Sequence, residues 1–271
     1  MPVSSNTLFH FTTAYATVES ILTDFFRPSY CKEEFNLYGS PHLSYYPMIT
    51  FCDLPLTLAK EHIGKYGNYA LGMSKEWGKR NSMNPVLYLE ADSNLAKDFA
   101  NSYHDMLELV PMLTNLLLKT RETIVPINES DLIENNVYNL SYQTVNALRY
   151  VKNYEGTLKR KYGEIENYRF YDEREWRYLP AMNENGVANY MNKKEYEEWR
   201  GSEDSPKRLI DSIQVTFKVD DIRYLIVNDE NDRLKLINFI HHSCPLTIND
   251  KVGANMLTSR ILTVEQLNTD F

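Results

Sequence analysis

The sequence predicts an α+β fold, with strands gathered towards both ends and helices in between. Strand-like runs fall at residues 7–11, 48–52, 167–180, 210–218 and 222–227, and residues 93–165 are mostly helical in pattern. Strand and helix signals do not alternate regularly, as a βαβ fold requires. The length of 271 residues suits one domain, 1–271, carrying a helical insertion at about 93–165.

Taken in order, TLFHF at 7–11 alternates apolar and polar residues and reads as a strand. Ala14, Val18, Ile21, Leu22 and Phe25 follow at helical spacing, and Pro28 stops that helix. Residues 29–46 read as loop. MITFC at 48–52 is β-prone, and Asp53 and Pro55 turn the chain into a helix that ends at Gly67. Residues 68–73 and 85–91 read as strands. The run 93–120, with Pro111 inside it, reads as a buried helix pair, and 127–165 as helix and loop. The aromatic-rich 167–180 is expected to be one strand. A short exposed helix (MNKKEYEEWR), strands at 210–218 and 222–227, a helix at 229–242 and a last strand near Arg260–Val264 complete the pattern.

Composition excludes several classes. The net charge of −8 rules out a generally basic nucleic-acid-binding surface, so any such contact needs a local patch. Three scattered cysteines, Cys31, Cys52 and Cys244, suit neither a disulfide framework nor a zinc site, so no metal is expected. No leader-like or membrane-length apolar run is seen, and a soluble, cytoplasmic protein is expected. Phosphate-loop, dinucleotide-fingerprint, zincin and lipase motifs are missing.

Three constellations could carry chemistry. In FYDEREWRY, a strand would put Glu173 and Glu175 on one face. Two facing carboxylates repel, and such pairs can divide acid–base or cation-stabilising work. The structural alternative pairs them with Arg174, Arg177 or Lys161 on a solvated edge. His10, between Phe9 and Phe11, could hydrogen-bond a ribose beside flat rings, or could be a satisfied core histidine. Arg149, Lys152, Lys159, Arg160 and Lys161 interleave with Tyr150, Tyr154 and Tyr162, a composition that suits single-stranded nucleic acid or a solvated helix face. The pair His241–His242 lacks further ligands at metal spacing.

LFHFT, PMITFCDLPLTLAKEHIGKYGNYALGMSKEWG, NPVLY and FYDEREWRYLP together resemble the AbiGi group of abortive-infection proteins. The blocks cover about the first 90 residues and the stretch near 165–180, and Pro47–Gly78 is the most specific. Their order also resembles the ADP-ribosyltransferase fold, most closely the DarT-type nucleic-acid modifiers. That resemblance implies a split β-sheet core and an NAD-dependent ADP-ribosyltransferase toxin of a phage-defence system. It implies that His10, Phe11, Thr12 and Tyr66 hold NAD, and that Glu175, or else Glu173, stabilises the oxocarbenium-like state as nicotinamide leaves. Leu56 stands where the DarT pattern has arginine, leaving Lys60, His62 or Lys65 as substitutes. The implied acceptor is nucleic acid, RNA before single-stranded DNA, held by the basic stretch. The implied partner is a cognate antitoxin, with a chaperone if the system is of the CmdTAC type. Because AbiGi proteins are described as antitoxins, a non-enzymatic antitoxin or interaction module is the alternative, with a protein-modifying transferase as a third reading.

Overall fold

Strand β1 (Thr7–Thr12) organises the sheet because both of its faces are buried, Leu8 towards one side and Phe9 towards the other. The structure, a computed structural model, describes residues 4–121, 139, 142–160, 163–181, 187–201 and 210–270. With β4 (Tyr69–Ser74), β1 forms a full antiparallel ladder from Thr7↔Ser74 to Thr12↔Tyr69. With β3 (Ser40–Cys52) it pairs at Phe9↔Cys52, and there the ladder ends. Beyond that point the His10 ring spans the gap, its Nδ1 donating to the Thr50 carbonyl at 2.9 Å.

The sheet order is β12-β11-β4-β1-β3-β10-β5, where β5 is Asn84–Pro85, β10 Glu175–Tyr178, β11 Ile222–Val227 and β12 Ile261–Thr263. β12 runs parallel to β11, and the other pairs are antiparallel. β2 (Ser29–Leu37) lies along the first part of β3, from Ser29↔Met48 to Leu37↔Ser40. The helices are α1 (Tyr15–Asp24), α2 (Leu56–Tyr66), α3 (Lys75–Arg80), α4 (Asn94–Arg121), α5 (Lys193–Gly201), α6 (Glu230–His242), α7 (Lys251–Thr258) and α8 (Val264–Asp270).

Helices cover both faces of the sheet. On one, Leu8, Leu22, Phe51, Trp77, Leu225, Leu236 and Leu257 interlock β1, α1, β3, α3, β11, α6 and α7. On the other, Phe9, Ile63, Ala70, Ile226 and Leu267 join β1, α2, β4, β11 and α8. This two-sided burial explains why IRYLIV reads as a nearly unbroken apolar run. Each such side chain contributes about 1.5–3 kcal/mol relative to exposure. Local chemistry fixes the helix ends. Ser74 Oγ accepts from the Trp77 N–H at 3.2 Å, Asp229 Oδ1 from Asp232 at 3.0 Å, and Asp250 Oδ1 from Gly253 at 2.9 Å. α2 ends at Gly67, whose φ of 124° suits only glycine.

The fold class is mixed α+β, as expected, but several elements differ. Residues 29–46 are not loop. They form a hairpin closed by Tyr38 and Gly39, whose φ values of 50° and 79° make the turn that matches strand twist. The 93–120 run is one helix, α4, with Pro111 inside it, and Leu107, Leu109 and Met112 are exposed rather than buried. The insertion is not purely helical. Residues 142–148 are helical, but β7 (Val151–Asn153, parallel to β6, Leu87–Leu89), β8 (Glu155–Arg160) and β9 (Gly163–Arg169) follow, while 122–138, 140 and 141 lie outside the described residues. The expected strand at 210–218 reduces to one bridge, Val215 with Phe26. Among the described residues no helix is long and apolar enough to cross a membrane.

Candidate functional site

The segment expected as one strand over 167–180 is broken in the middle. β9 ends at Arg169, a 3-10 turn spans Phe170–Glu173, and Arg174 takes a left-handed conformation (φ 46°, ψ 52°) before β10 begins. Such a residue costs about 1–2 kcal/mol. The turn is anchored by the Asp53 N–H, which donates to the Arg174 carbonyl at 3.0 Å. The Glu175 N–H in turn donates to Tyr88 Oη at 2.8 Å. Glu173 and Glu175 therefore do not share a strand face by alternation. The turn brings both to one place instead.

That place is a cavity of about 510 Å³ beside the point where the β1–β3 ladder ends. Phe9 and Phe11 of β1, Thr50 and Cys52 of β3 and Cys31–Glu34 of β2 line it, and Tyr66, Lys152, β8, Phe170, Glu173 and Glu175 close it. Buried ion pairs cross its floor. Lys152 Nζ donates to Glu175 Oε2 at 2.6 Å and to Glu173 Oε2 at 2.9 Å. Arg177 Nε donates to Glu175 Oε1 at 2.6 Å, and its Nη2 to Glu33 Oε2 at 2.8 Å. The Tyr66 hydroxyl donates to Glu173 Oε1. Lys152 Nζ also sits 5.1 Å from the centre of the Phe170 ring.

Burial alone would raise the Glu175 carboxyl, but the charges and hydrogen bonds of Arg177 and Lys152 outweigh it and hold the group at about 2. Burial likewise works against the Lys152 ammonium, and the Glu175, Glu173 and Glu33 carboxylates reverse this and raise it. Glu175 and Lys152 are thus locked in their charged forms. Burial pushes the nearby Cys31 thiol up.

The structure gathers six of the sequence-derived candidates around this cavity: Phe11, Tyr66, Lys152, Lys159, Glu173 and Glu175. Others go elsewhere. His10 points to the opposite face from Phe11, its ring 5.4 Å from Phe26 and 5.5 Å from Phe51, and burial lowers its pKa. Thr12 ends β1 opposite Tyr69. The basic stretch is not a surface strip. Arg149 is 1 % exposed and donates to the Pro180 carbonyl at 3.0 Å, with Tyr30 and Tyr46 from distant segments near it. Lys152 is spent on the two glutamates. Lys159 is exposed on the rim, Arg160 pairs with Gly163 through the backbone, and Lys161 lies outside the described residues. His62, a suggested substitute for arginine, is buried, its ring stacked against those of Phe11 and Tyr66. Among the described residues no group of three or more His, Cys, Asp or Glu could hold a metal.

Sequence reasoning gave no site role to Glu33, Cys31 or Arg177. Arg177 had one signal, since it lies two residues after Glu175 and so on the same strand face. It pairs with Glu175 as the structural alternative held, but in the interior rather than on a solvated edge. Glu33 had none, because its segment read as loop.

Residues 24–228 match the family model described as "Putative abortive phage resistance protein AbiGi, antitoxin". The chain is also 26% identical over 241 residues, 84% of its length and 89% of the relative's, to the "Abortive phage resistance protein AbiGi" of Lactococcus lactis subsp. cremoris. No solved structure matches at a significant level. The antitoxin description overturns the expectation of an ADP-ribosyltransferase toxin. The geometry gives a physical reason to set it aside. Each oxygen of Glu175 already accepts one bond, from Arg177 or Lys152, and these attached cations offset the negative charge that would otherwise stabilise an oxocarbenium.

Proposed function

This chain belongs to the AbiGi family of abortive phage resistance proteins, and we propose that it serves as a non-enzymatic antitoxin that binds the protein toxin of its own defence system. One observation carries the reading: the cavity floor is a chain of fixed ion pairs, Glu33–Arg177–Glu175–Lys152–Glu173. Groups held charged and paired make poor proton carriers but good recognition elements, since fixed charges select partners and orient them. The family description and the relative's name, both tied to abortive phage resistance, support it from outside the geometry.

The reading is tested by co-expressing the chain with the toxin of its locus and measuring the mass of the purified species by size exclusion with light scattering. A complex of the two proteins is expected. Two proteins that elute separately at micromolar concentration contradict it.

A further inference from the structure

Resting on the antitoxin reading, we propose that the cavity receives a cationic side chain, arginine or lysine, of the protein partner, and that Glu33 anchors it. The charges on the floor do not balance. Three carboxylates, Glu33, Glu173 and Glu175, share two cations, Arg177 and Lys152. Both oxygens of Glu175 accept, from Arg177 and Lys152, and both of Glu173 accept, from Lys152 and Tyr66. Glu33 accepts through Oε2 alone, and among the described residues its Oε1 has no donor. This carboxylate lines the cavity with its side chain 13% exposed, so the surplus negative charge borders that space.

Among the described residues no further cation is placed on Glu33. Lys32 and Lys159 lie on Glu34, at 2.6 Å and 3.9 Å. Arg149, though buried, bonds Pro180 and Asn146 and does not line the cavity. A partly buried surplus charge is costly until a counter-charge arrives, so an incoming cation gains what an anion or neutral group cannot. The walls suit the same ligand. Phe11, Tyr66 and Phe170 are aromatic lining residues, and Lys152 over Phe170 shows that a cation is already accommodated against one of them. The volume of about 510 Å³ admits a long side chain with its leading backbone.

The chain carries its own reporters. Cys31 and Cys52 line the cavity, whereas Cys244 is buried elsewhere. The intact protein is alkylated with iodoacetamide at pH about 8.5, in the presence of acetyl-Gly-Arg-Gly-amide or its neutral citrulline counterpart, and the rate at each cysteine is read by mass spectrometry. The arginine peptide is expected to slow Cys31 at concentrations about tenfold lower than the citrulline peptide, the ratio given by one added charge pair. Glu33→Gln should erase the difference. The comparison of peptides on the unaltered protein stands even if that variant folds poorly. Equal protection by both peptides, no protection by either, or protection by magnesium ion alone at matched ionic strength overturns the proposal. Failure here beside an intact toxin complex removes this inference alone. Protection by arginine without any toxin complex removes the antitoxin reading and leaves the cavity's preference for cations in place.

Discussion

Lys152 donates to Glu175 across 2.6 Å in the protein interior, and the same ammonium reaches Glu173 at 2.9 Å. The lysine is what allows two glutamates to share one cavity. With its side chain 16% exposed, the interaction is largely shielded from solvent.

Replacing Lys152 by Met leaves two carboxylates without their common partner. The expected loss is about 3–5 kcal/mol, the usual cost of removing one member of a buried ion pair. Urea unfolding checks it. Adding Glu173→Gln to Lys152→Met should recover part of the loss, because the remaining repulsion falls. A single substitution costing under about 1 kcal/mol would show that the network is a surface feature.

Arg149 provides the contrast. It is buried but bonds a carbonyl and an amide rather than a carboxylate, and its Nε has no partner among the described residues. Arg149→Met should therefore cost less than Lys152→Met by about 2 kcal/mol or more, since no opposite charge is stranded. Equal losses in the two variants would contradict this ranking.

Among the described residues His62 has no well-formed hydrogen bond on either ring nitrogen, with only the Leu58 backbone near enough to interact, although it is buried and its ring lies 5.6 Å from Tyr66 and 5.9 Å from Phe11. Phe keeps the stacking and removes two buried polar atoms. His62→Phe is expected to stabilise the protein by about 1 kcal/mol, read as a higher urea midpoint at neutral pH. A clear destabilisation would mean that a nitrogen of His62 is in use.

Acid should weaken the fold in two stages. Burial lowers the pKa of His10, His42 and His62 from 6.5, that of His42 to about 4. A base whose folded pKa is depressed binds its proton more readily when unfolded, so its stabilising contribution is full above 6.5 and falls towards 4. Glu175, lowered from 4.5 to about 2, contributes fully above 4.5 and loses that contribution as the pH drops through 2. Urea midpoints taken from pH about 8 to about 3 should be level at first and decline below about 6.5. Equal midpoints at about pH 7 and about pH 4.5 would show that these groups do not titrate as placed.

The elements legible in the sequence were those whose apolar period matches their burial: β1, α1, α2, β11 and α6. The β2–β3 hairpin was missed because its turn, Tyr38–Gly39, lacks the usual Asn-Gly or Asp-Gly signature and β2 carries Lys32, Glu33 and Glu34. The β8–β9 hairpin is largely exposed, so it has no apolar alternation to read. At the site, the pairing of Glu173 with Glu175 was visible as residues, but the left-handed Arg174 that brings them together was not. Nor could charge spacing separate exposed Lys159 from buried Arg149, since Tyr30 and Tyr46, near Arg149 in the fold, lie more than a hundred residues earlier in the chain.

The central claim, that this protein binds a toxin rather than acting as one, is tested most directly by growth. Cells would express the chain alone, the toxin of its locus alone, or both. The account predicts normal growth with the chain alone, arrest with the toxin, and recovery with both. Arrest by the chain alone, relieved by Glu175→Gln with the protein still folded, would contradict it.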